Sequence, residues 1–407
     1  MNAIVPTTDD RPALTLLALN TGSSSLKFGL YRVRSAVADI LLSGEVEAIG
    51  EPVGRCRAED ARSEPLFDER VAIPSLAAAL LFVGRVFADA NRGEPDAIGH
   101  RIVHGGPRLR RHCLIDEPVV RELQAASAFA PLHMPPALSA IRFAQAHFPG
   151  IPQAACFDTA FHAGMPDVAR VLPIARELQT DGLQRYGFHG LSCESIVRQF
   201  VGGPPERLVI AHLGAGASVT AVRSGRSIDT SMGLTPTGGV MMGTRSGDLD
   251  PGVLLYLMRE KGFDAAMIED LVDRRSGLLG VSGVSEDMRA LHDASASNPA
   301  ARLAVEMFCA AVAKQVAAMI TVLGGVDALV FTGGIGENDA VARAAICDDL
   351  AWIGVGLDRT RNRSATNPIS DEGSGCRVLV LPSREDKEIA QHAWALSSAV
   401  ARCAEFR

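Results

Sequence analysis

The sequence predicts an α/β chain made of two similar halves, and three observations carry that expectation. The first is the apolar run Leu14 to Leu19, the small polar turn Asn20-Thr21-Gly22-Ser23-Ser24-Ser25, and a second strand pattern from Leu26 to Val33. Strand, glycine–serine turn, strand reads as a β-hairpin with an amide-rich tip. The second is the return of this arrangement as Leu208 to Ala211, His212-Leu213-Gly214-Ala215-Gly216-Ala217-Ser218 and Val219 to Val222. The third is the set of helical patterns between the strands: Pro74 to Asn91, Ala137 to His147, Gly252 to Lys261, Ala300 to Leu323 and Asp386 to Ala404. A further strand, Ala328 to Phe331, runs into the turn Thr332 to Asn338. On this pattern a nucleotide sits in a cleft between the halves, with one turn from each aimed at its phosphates. The halves are expected to meet near Asp158 to Gly164, because Pro166 to Leu183 is loop-rich, and the last helix to fold back onto the first half. The domains are therefore expected at 1–160 plus 386–407 and at 161–385.

Composition sets the outer limits. The 407 residues are 47% hydrophobic and 21% charged, enough for two globular domains. A formal net charge of −7 leaves no basic field to hold nucleic acid, so an anionic ligand must rely on a few local cations, backbone amides and a metal. No two of the eight cysteines form a C-x-x-C pair, and Met1 to Pro12 is polar, carrying Asp9, Asp10 and Arg11. The expectation is a reduced, cytoplasmic protein without a secretory leader. Leu303 to Leu323 carries Glu306 and Lys314, and reads as a buried helix, not a membrane span.

Phosphoryl transfer needs positioning, a divalent metal and positive charge on the moving group more than covalent chemistry. The first turn offers amides and hydroxyls, and Lys27 shares a face with Ser25 two positions earlier. Alone it reads more readily as an ordinary polar hairpin. The second turn has nothing larger than Ser between Gly214 and Ser218, which permits close backbone approach to an anion. Arg245, within Gly243-Thr244-Arg245-Ser246-Gly247-Asp248, offers a guanidinium fork suited to phosphate oxygens; its bland alternative is a surface pair with Asp248 or Asp250. Arg101, in His100-Arg101-Ile102-Val103-His104-Gly105-Gly106, follows a strand and suits an acceptor carboxylate.

Three of ten histidines stand out by context: His133 after Pro131-Leu132, His189 in Tyr186-Gly187-Phe188-His189-Gly190, and His212 at the mouth of the second turn. With no cysteine cluster nearby, a hydrogen bond to a phosphoryl oxygen is the functional reading for His189, set against a purely structural role. Asp158 closes the apolar run Ala154 to Phe157, a usual position for a functional acid in an α/β sheet. Glu385 starts a helix, where an acid is favoured anyway by the macrodipole. With Asn20 it reads as a Mg²⁺ site, and no P-loop is present.

Together these segments resemble the acetate kinases and their propionate and butyrate kinase relatives, within the superfamily of actin, sugar kinases and heat-shock ATPases. The blocks are Asn20 to Lys27, His100 to Gly106, Phe157 to His162, Tyr186 to Gly190, Met241 to Asp248 and Thr332 to Asn338, in order from Leu16 to about Ala393. The resemblance implies two ribonuclease-H-like domains, ATP as co-substrate, Mg²⁺ or Mn²⁺, acetate and acetyl phosphate as the other reactants, and a homodimer. It implies that Asn20 and Glu385 hold the metal, that Lys27 lies near the phosphates, and that Arg101 and Arg245 flank carboxylate and phosphoryl group. His189 then stabilises the transition state. ATP falls to His212, Leu213, Gly214, Ala215 and Gly216, to Asp287, Met288 and Arg289, and to Gly334, Ile335, Gly336, Glu337 and Asn338. Val103, Leu132, Phe188 and Pro236 match the acyl pocket, and Asp158 the family's acid/base residue. A fatty acid is already ionised at neutral pH, so Asp158 is expected to organise the metal's waters or the arginines. The chain departs from the family at Met134, Ala215, Gly238 and Arg384, none of which removes a charged catalytic group. The rival expectations are a kinase for propionate or butyrate, a sugar kinase, and a non-catalytic nucleotide-binding relative.

Overall fold

The computed structural model describes residues 12–22, 24–35, 37–90, 93–179 and 182–405. Ser23 of the first turn and the segment before Pro12 lie outside the described residues. Two compact units make up the chain, Met1–Ala160 with Arg384–Arg407, and Phe161–Ser383. The sequence reading starts the returning segment at 386; in the structure it starts at Arg384, so Glu385 belongs to the first unit. A hydrogen bond from Asn20 to Glu385 holds it there.

The first unit contains β1 (Leu14–Thr21), β2 (Leu26–Arg34), β3 (Val37–Glu47), β4 (Gly54–Asp60), β5 (Pro65–Val71), β6 (Ala97–Ile102), β7 (Cys113–Leu114) and β8 (Gln153–Phe157). Their order in the sheet is β5-β4-β3-β2-β1-β6-β8-β7. The second unit contains β9 (Arg207–Leu213), β10 (Ala217–Arg223), β11 (Arg226–Thr230), β12 (Ala328–Thr332) and β13 (Arg377–Val380), in the order β11-β10-β9-β12-β13. Within the larger sheet, β3-β2-β1-β6-β8 has the same order and strand directions as the whole smaller one: two antiparallel neighbours, then two parallel ones. Each unit is thus a ribonuclease-H-like α/β layer, and both hairpins, β1–β2 and β9–β10, lead their sheets.

Burial explains why these strands are central. In the first unit Leu17, Leu19, Phe28 and Leu30 pack with Val83 and Val86 of helix Leu76–Asp89 and Ala140 and Ala144 of helix Met134–His147. Each of these Leu, Phe and Val side chains contributes about 1.5–3 kcal/mol when taken from water. The opposite face receives helix Glu385–Glu405 so closely that a Cβ on Gly99 would sit 2.5 Å from Ile389 Cγ2. In the second unit Ile210, Val222 and Val330 pack with Cys193 and Ile196 of helix Gly190–Arg198. Helix Pro299–Leu323 is long and apolar enough to cross a membrane, but buries Phe308, Val312 and Val316 and packs on β9 and β10. Helix Met134–His147 starts three residues before the expected Ala137, since prolines are tolerated in a first turn. The expected turn after Thr332 is instead wound into a short helix, Gly333–Asn338.

Candidate active site

Register brings the first group of residues together. Asn20 lies opposite Lys27 at the turn end of the β1–β2 hairpin. Arg101 sits near the end of β6, opposite Cys156 of β8, and Asp158 follows the last residue of β8. The Arg101 side chain is thereby laid against Asp158, whose side chain is 1% exposed. Arg101 Nε and Nη2 donate to Asp158 Oδ2 at 3.0 and 2.7 Å, and Nη1 donates to Asn20 Oδ1 at 3.1 Å. Asn20 Nδ2 in turn donates to Glu385 Oε2 and Asp386 Oδ1, each at 3.2 Å. One network therefore links five polar side chains from β1, β6, the end of β8 and the returning helix.

Electrostatics follow from this crowding. Burial opposes the Arg101 charge, but Asp158 and Glu385 outweigh it and hold the guanidinium protonated. Burial pushes the Asp158 carboxyl up to about 6, against the pull of Arg101 and with a further push from Glu385. Asp386 is also pushed up to about 6, by burial and then by the neighbouring Glu385 carboxylate. Two carboxylates converging on one amide are a hard-oxygen donor set whose mutual repulsion a divalent cation would relieve, so the residues fit Mg²⁺. Asn20 turns its nitrogen towards both acids and its oxygen towards Arg101. The residue that sequence reasoning missed is Asp386; its signal was the second acid in Glu385-Asp386 at a helix start.

The other first-unit candidates have plainer surroundings. Lys27 Nζ is 3.5 Å from a Glu45 carboxylate oxygen, and its side chain is 55% exposed. Val103 is buried and Leu132 half-buried. His133 precedes helix Met134–His147, and Met134 is fully buried. His100 and His104 stand four apart, but His100 Nε2 pairs with Gln153 at 2.9 Å, and Gly106 N–H donates to His104 Nδ1 at 2.8 Å. Both are thus engaged in holding the strand and the turn after it.

In the second unit His189 adopts a left-handed conformation (φ 57°) at the start of helix Gly190–Arg198. This is an uncommon conformation for a side chain with a Cβ and is sustained here by its neighbours. His189 Nδ1 lies 3.0 Å from Ser218 Oγ, and the ring stacks on His212 at 4.1 Å. His212 Nδ1 is 2.8 Å from Ser192 Oγ, which accepts from Ser383. His162, pushed down to about 4 by burial, is neutral at pH 7; its Nε2 lies 3.0 Å from the Phe188 carbonyl oxygen, just before His189. A Cβ on Gly216 would lie 3.2 Å from His189 Nε2 and 3.6 Å from Arg245 Nη1, so imidazole and guanidinium both reach the β9–β10 turn.

Arg245 Nη1 donates to the Pro236 carbonyl at 3.1 Å, while Asp248 Oδ1 accepts from Gly239 N–H. Gly243 N–H donates to the Ala215 carbonyl at 3.2 Å and ties the arginine loop to the same turn. A Cβ on Gly214 would lie 3.7 Å from Gly334 N, so the β9–β10 turn runs beside the start of helix Gly333–Asn338. Gly333, at φ +78°, has no room for a side chain: a Cβ would be 2.7 Å from the Leu213 oxygen. Phe188, Met288 and Gly336 are buried. Glu337 turns inward to accept from Gly333 N–H and Ser383 N–H at 3.0 and 2.9 Å. Asn338 Nδ2 donates to Gly334 O, and Asp287 and Arg289 pair with each other at 2.9 Å at the start of a helix.

Chains of known kind are similar to this one in sequence and fold. The family model of the acetokinase family matches residues 15–391. Acetate kinase of Nitrobacter hamburgensis is 44% identical over 94% of this chain and 96% of its own length. Acetate kinase of Rhodopseudomonas palustris is 42% identical over 94% of this chain and 98% of its own. Among solved structures, a propionate kinase from Francisella tularensis superposes with a TM-score of 0.87 at 36% identity, over 94% of this chain and 99% of that one. Acetate kinase from Porphyromonas gingivalis gives 0.83 at 37%, over 94% and 100%. The chain belongs to the acetokinase family.

Proposed function

We infer that this protein is an acetate kinase: it moves the γ-phosphoryl group of ATP onto the carboxylate of acetate, giving acetyl phosphate and ADP, and runs the reverse transfer. The observation that supports this most directly is the network around Arg101. A guanidinium fixed on two sides by Asp158 and Asn20, beside two converging acids, suits an acceptor anion next to a metal-bound phosphate. Carboxylate and γ-phosphate repel, and reaction requires them at ~3–3.5 Å in line. Arg101 and Arg245 offset that repulsion. His189, steered by Ser218 and His212, donates to an equatorial phosphoryl oxygen. Glu385 and Asp386 would hold Mg²⁺, with Asn20 orienting both carboxylates through its Nδ2; when bound, the metal would neutralise charge on the phosphate oxygens. Asp158 orients Arg101 and takes no proton, because the acceptor is already an anion. The β9–β10 turn at Gly214–Gly216 and the first turn of helix Gly333–Asn338 offer backbone amides to the nucleotide, with Leu213, Ile335, Asn338 and the Asp287–Arg289 segment around it. Val103, Leu132, Phe188 and Pro236 receive the acyl group.

Acyl-phosphate formation, trapped as the hydroxamate with Mg-ATP and acetate, propionate or butyrate in parallel, tests the reading. The highest kcat/KM is expected with acetate. A higher value with propionate would move the substrate assignment and leave the chemistry in place. No turnover with any of the three, from folded protein that binds ATP, would overturn it.

The assembly we infer is a homodimer in the cytoplasm. Helix Pro251–Lys261 has no buried residue, yet Val253, Leu255, Tyr256 and Met258 are apolar and exposed on it. Helix Ala265–Arg274 likewise buries none and exposes Met267. Such a face calls for a partner, and a second copy supplies one. Sedimentation is expected to give twice the chain's 43.0 kDa; a monomer at micromolar concentration would refute this.

A pH dependence follows from the two raised carboxyls. Each is an anion above its pKa and neutral below it, and the anion is the form that serves Arg101 and the metal. Turnover is therefore expected to decline as pH falls through about 6. The Mg²⁺ concentration needed for half-maximal rate is expected to rise over the same range. Stability moves the other way: burying an acid with a raised pKa as an anion costs stability at neutral pH, and this is recovered on acidification. A kcat profile that stays flat well below pH 6 would contradict the role given to these acids.

A further inference from the structure

Beside Asp158 lies a histidine that the reaction as described does not use. Strand β7 pairs with β8 for only two residues, Cys113 with Ala155 and Leu114 with Ala154. Extending that antiparallel register would put Arg111 opposite Phe157, but the ladder ends before it. The imidazole of His112 stands in instead: Phe157 N–H donates to His112 Nδ1 at 3.0 Å. On the opposite side, Asp158 N–H donates to the Ile102 carbonyl at 2.9 Å. The last two peptide groups before the functional carboxylate are thus gripped from both neighbouring strands, one grip being a side chain.

A nitrogen that accepts carries no proton, so the ring proton of His112 is on Nε2. The ring lies nearly parallel to Phe157, 6.5 Å between centroids at 8°, and meets His392 at 3.8 Å and 39°. His392 belongs to helix Glu385–Glu405, the helix that begins with the metal-side acids. Both the end of β8 and the helix bearing Glu385 therefore rest on one imidazole.

We propose that His112 is a positioning residue for Asp158: it replaces a missing backbone acceptor at the end of β8 and, through His392, sets that end against the helix carrying Glu385. This rests on the assignment of Asp158 to the reaction. A shift of Asp158 would carry the Arg101 fork with it, and small misplacements of reacting groups are expensive in rate.

The test uses the full chain as His112→Ala and His112→Asn. Asn places an amide oxygen near the position of Nδ1 and keeps the acceptor without the ring. With Ala, kcat is expected to fall about tenfold or more while KM for ATP is unchanged. Hydrogen exchange in the peptide containing Phe157 is expected to quicken. Asn is expected to restore both kcat and the slow exchange. The proposal is overturned by Ala with wild-type kcat, or by Asn no better than Ala, which would assign the effect to ring packing. If Ala does not fold, the Asn variant decides alone: wild-type kcat and slow exchange support the hydrogen bond, and their joint loss refutes it. Separately, wild-type kcat in Asp158→Asn would remove Asp158 from the reaction and leave the exchange result for His112 standing.

Discussion

Replacing Asp158 by Ala is expected to lower kcat by ~10²-fold or more in a protein that still folds, because Arg101 loses the surface that aims it. The carboxylate is buried and takes two donors from the guanidinium, at 3.0 and 2.7 Å. Removing it leaves a buried cation without its counter-charge, which typically destabilises by ~3–5 kcal/mol. Kinetics should therefore be measured well below the lowered melting temperature. Asp158→Asn keeps the shape and one acceptor oxygen but turns an NH₂ towards the guanidinium. It is expected to be more stable than the Ala variant and still slow. An Asp158→Ala enzyme with near-normal kcat would sink the organiser role. Full activity in the Ala variant would also exclude the acid/base role carried over from the family, so the measurement tests the residue under either description.

Much of this molecule was legible because its information is local. Alternation and chain-reversing small residues mark β1–β2 and β9–β10, and the apolar runs into Asp158 and Thr332 mark β8 and β12. The meander β3–β5 is not legible in the sequence, because in β4 and β5 its inward positions are single small or polar residues set between charged ones, as in Arg55-Cys56-Arg57, where Cys56 alone is buried, and Asp68-Glu69-Arg70. No long apolar run announces β4 and β5, yet Cys56 and Ala58 of β4, with Leu42 and Val46 of β3, are buried in the first unit's core. The site divides in the same way. Arg101, Asp158 and Glu385 are recognisable from a strand end or a helix start. Ser218 and Ser192, which steer the two stacked histidines, are reached only through tertiary contacts and carry no local mark. Glu337 sits in a glycine-rich segment that reads as ligand-facing, yet its carboxylate closes the first turn of its own helix. His112 was passed over for a related reason: its role depends on where β7 stops, and a two-residue strand has no pattern to read.

Arg245→Lys is expected to fold normally and lose most of its activity. The loop does not depend on the guanidinium for its path. Ser246 N–H donates to the Val272 carbonyl at 2.9 Å, and Leu278 N–H donates to the Met242 carbonyl at 2.8 Å. Gly277, at φ +62°, lets the chain pass where a Cβ would stand 2.2 Å from the Met242 oxygen and 2.7 Å from that of Arg245. The backbone is therefore set by glycine geometry and main-chain bonds, and a lysine keeps one positive charge at the site. What lysine cannot keep is the planar fork, whose Nη1 donates to the Pro236 carbonyl and lies beside Gly216 of the β9–β10 turn. An arginine finger in other phosphoryl-transfer enzymes contributes ~10³–10⁵ in rate, and a large part of that is expected to vanish here. The loss should appear in kcat, with KM for ATP little changed, since the charge remains to attract the nucleotide. A folded Lys variant with undiminished kcat would mean that charge alone suffices, and the transition-state role would then pass to His189, whose ring reaches the same Gly216 turn.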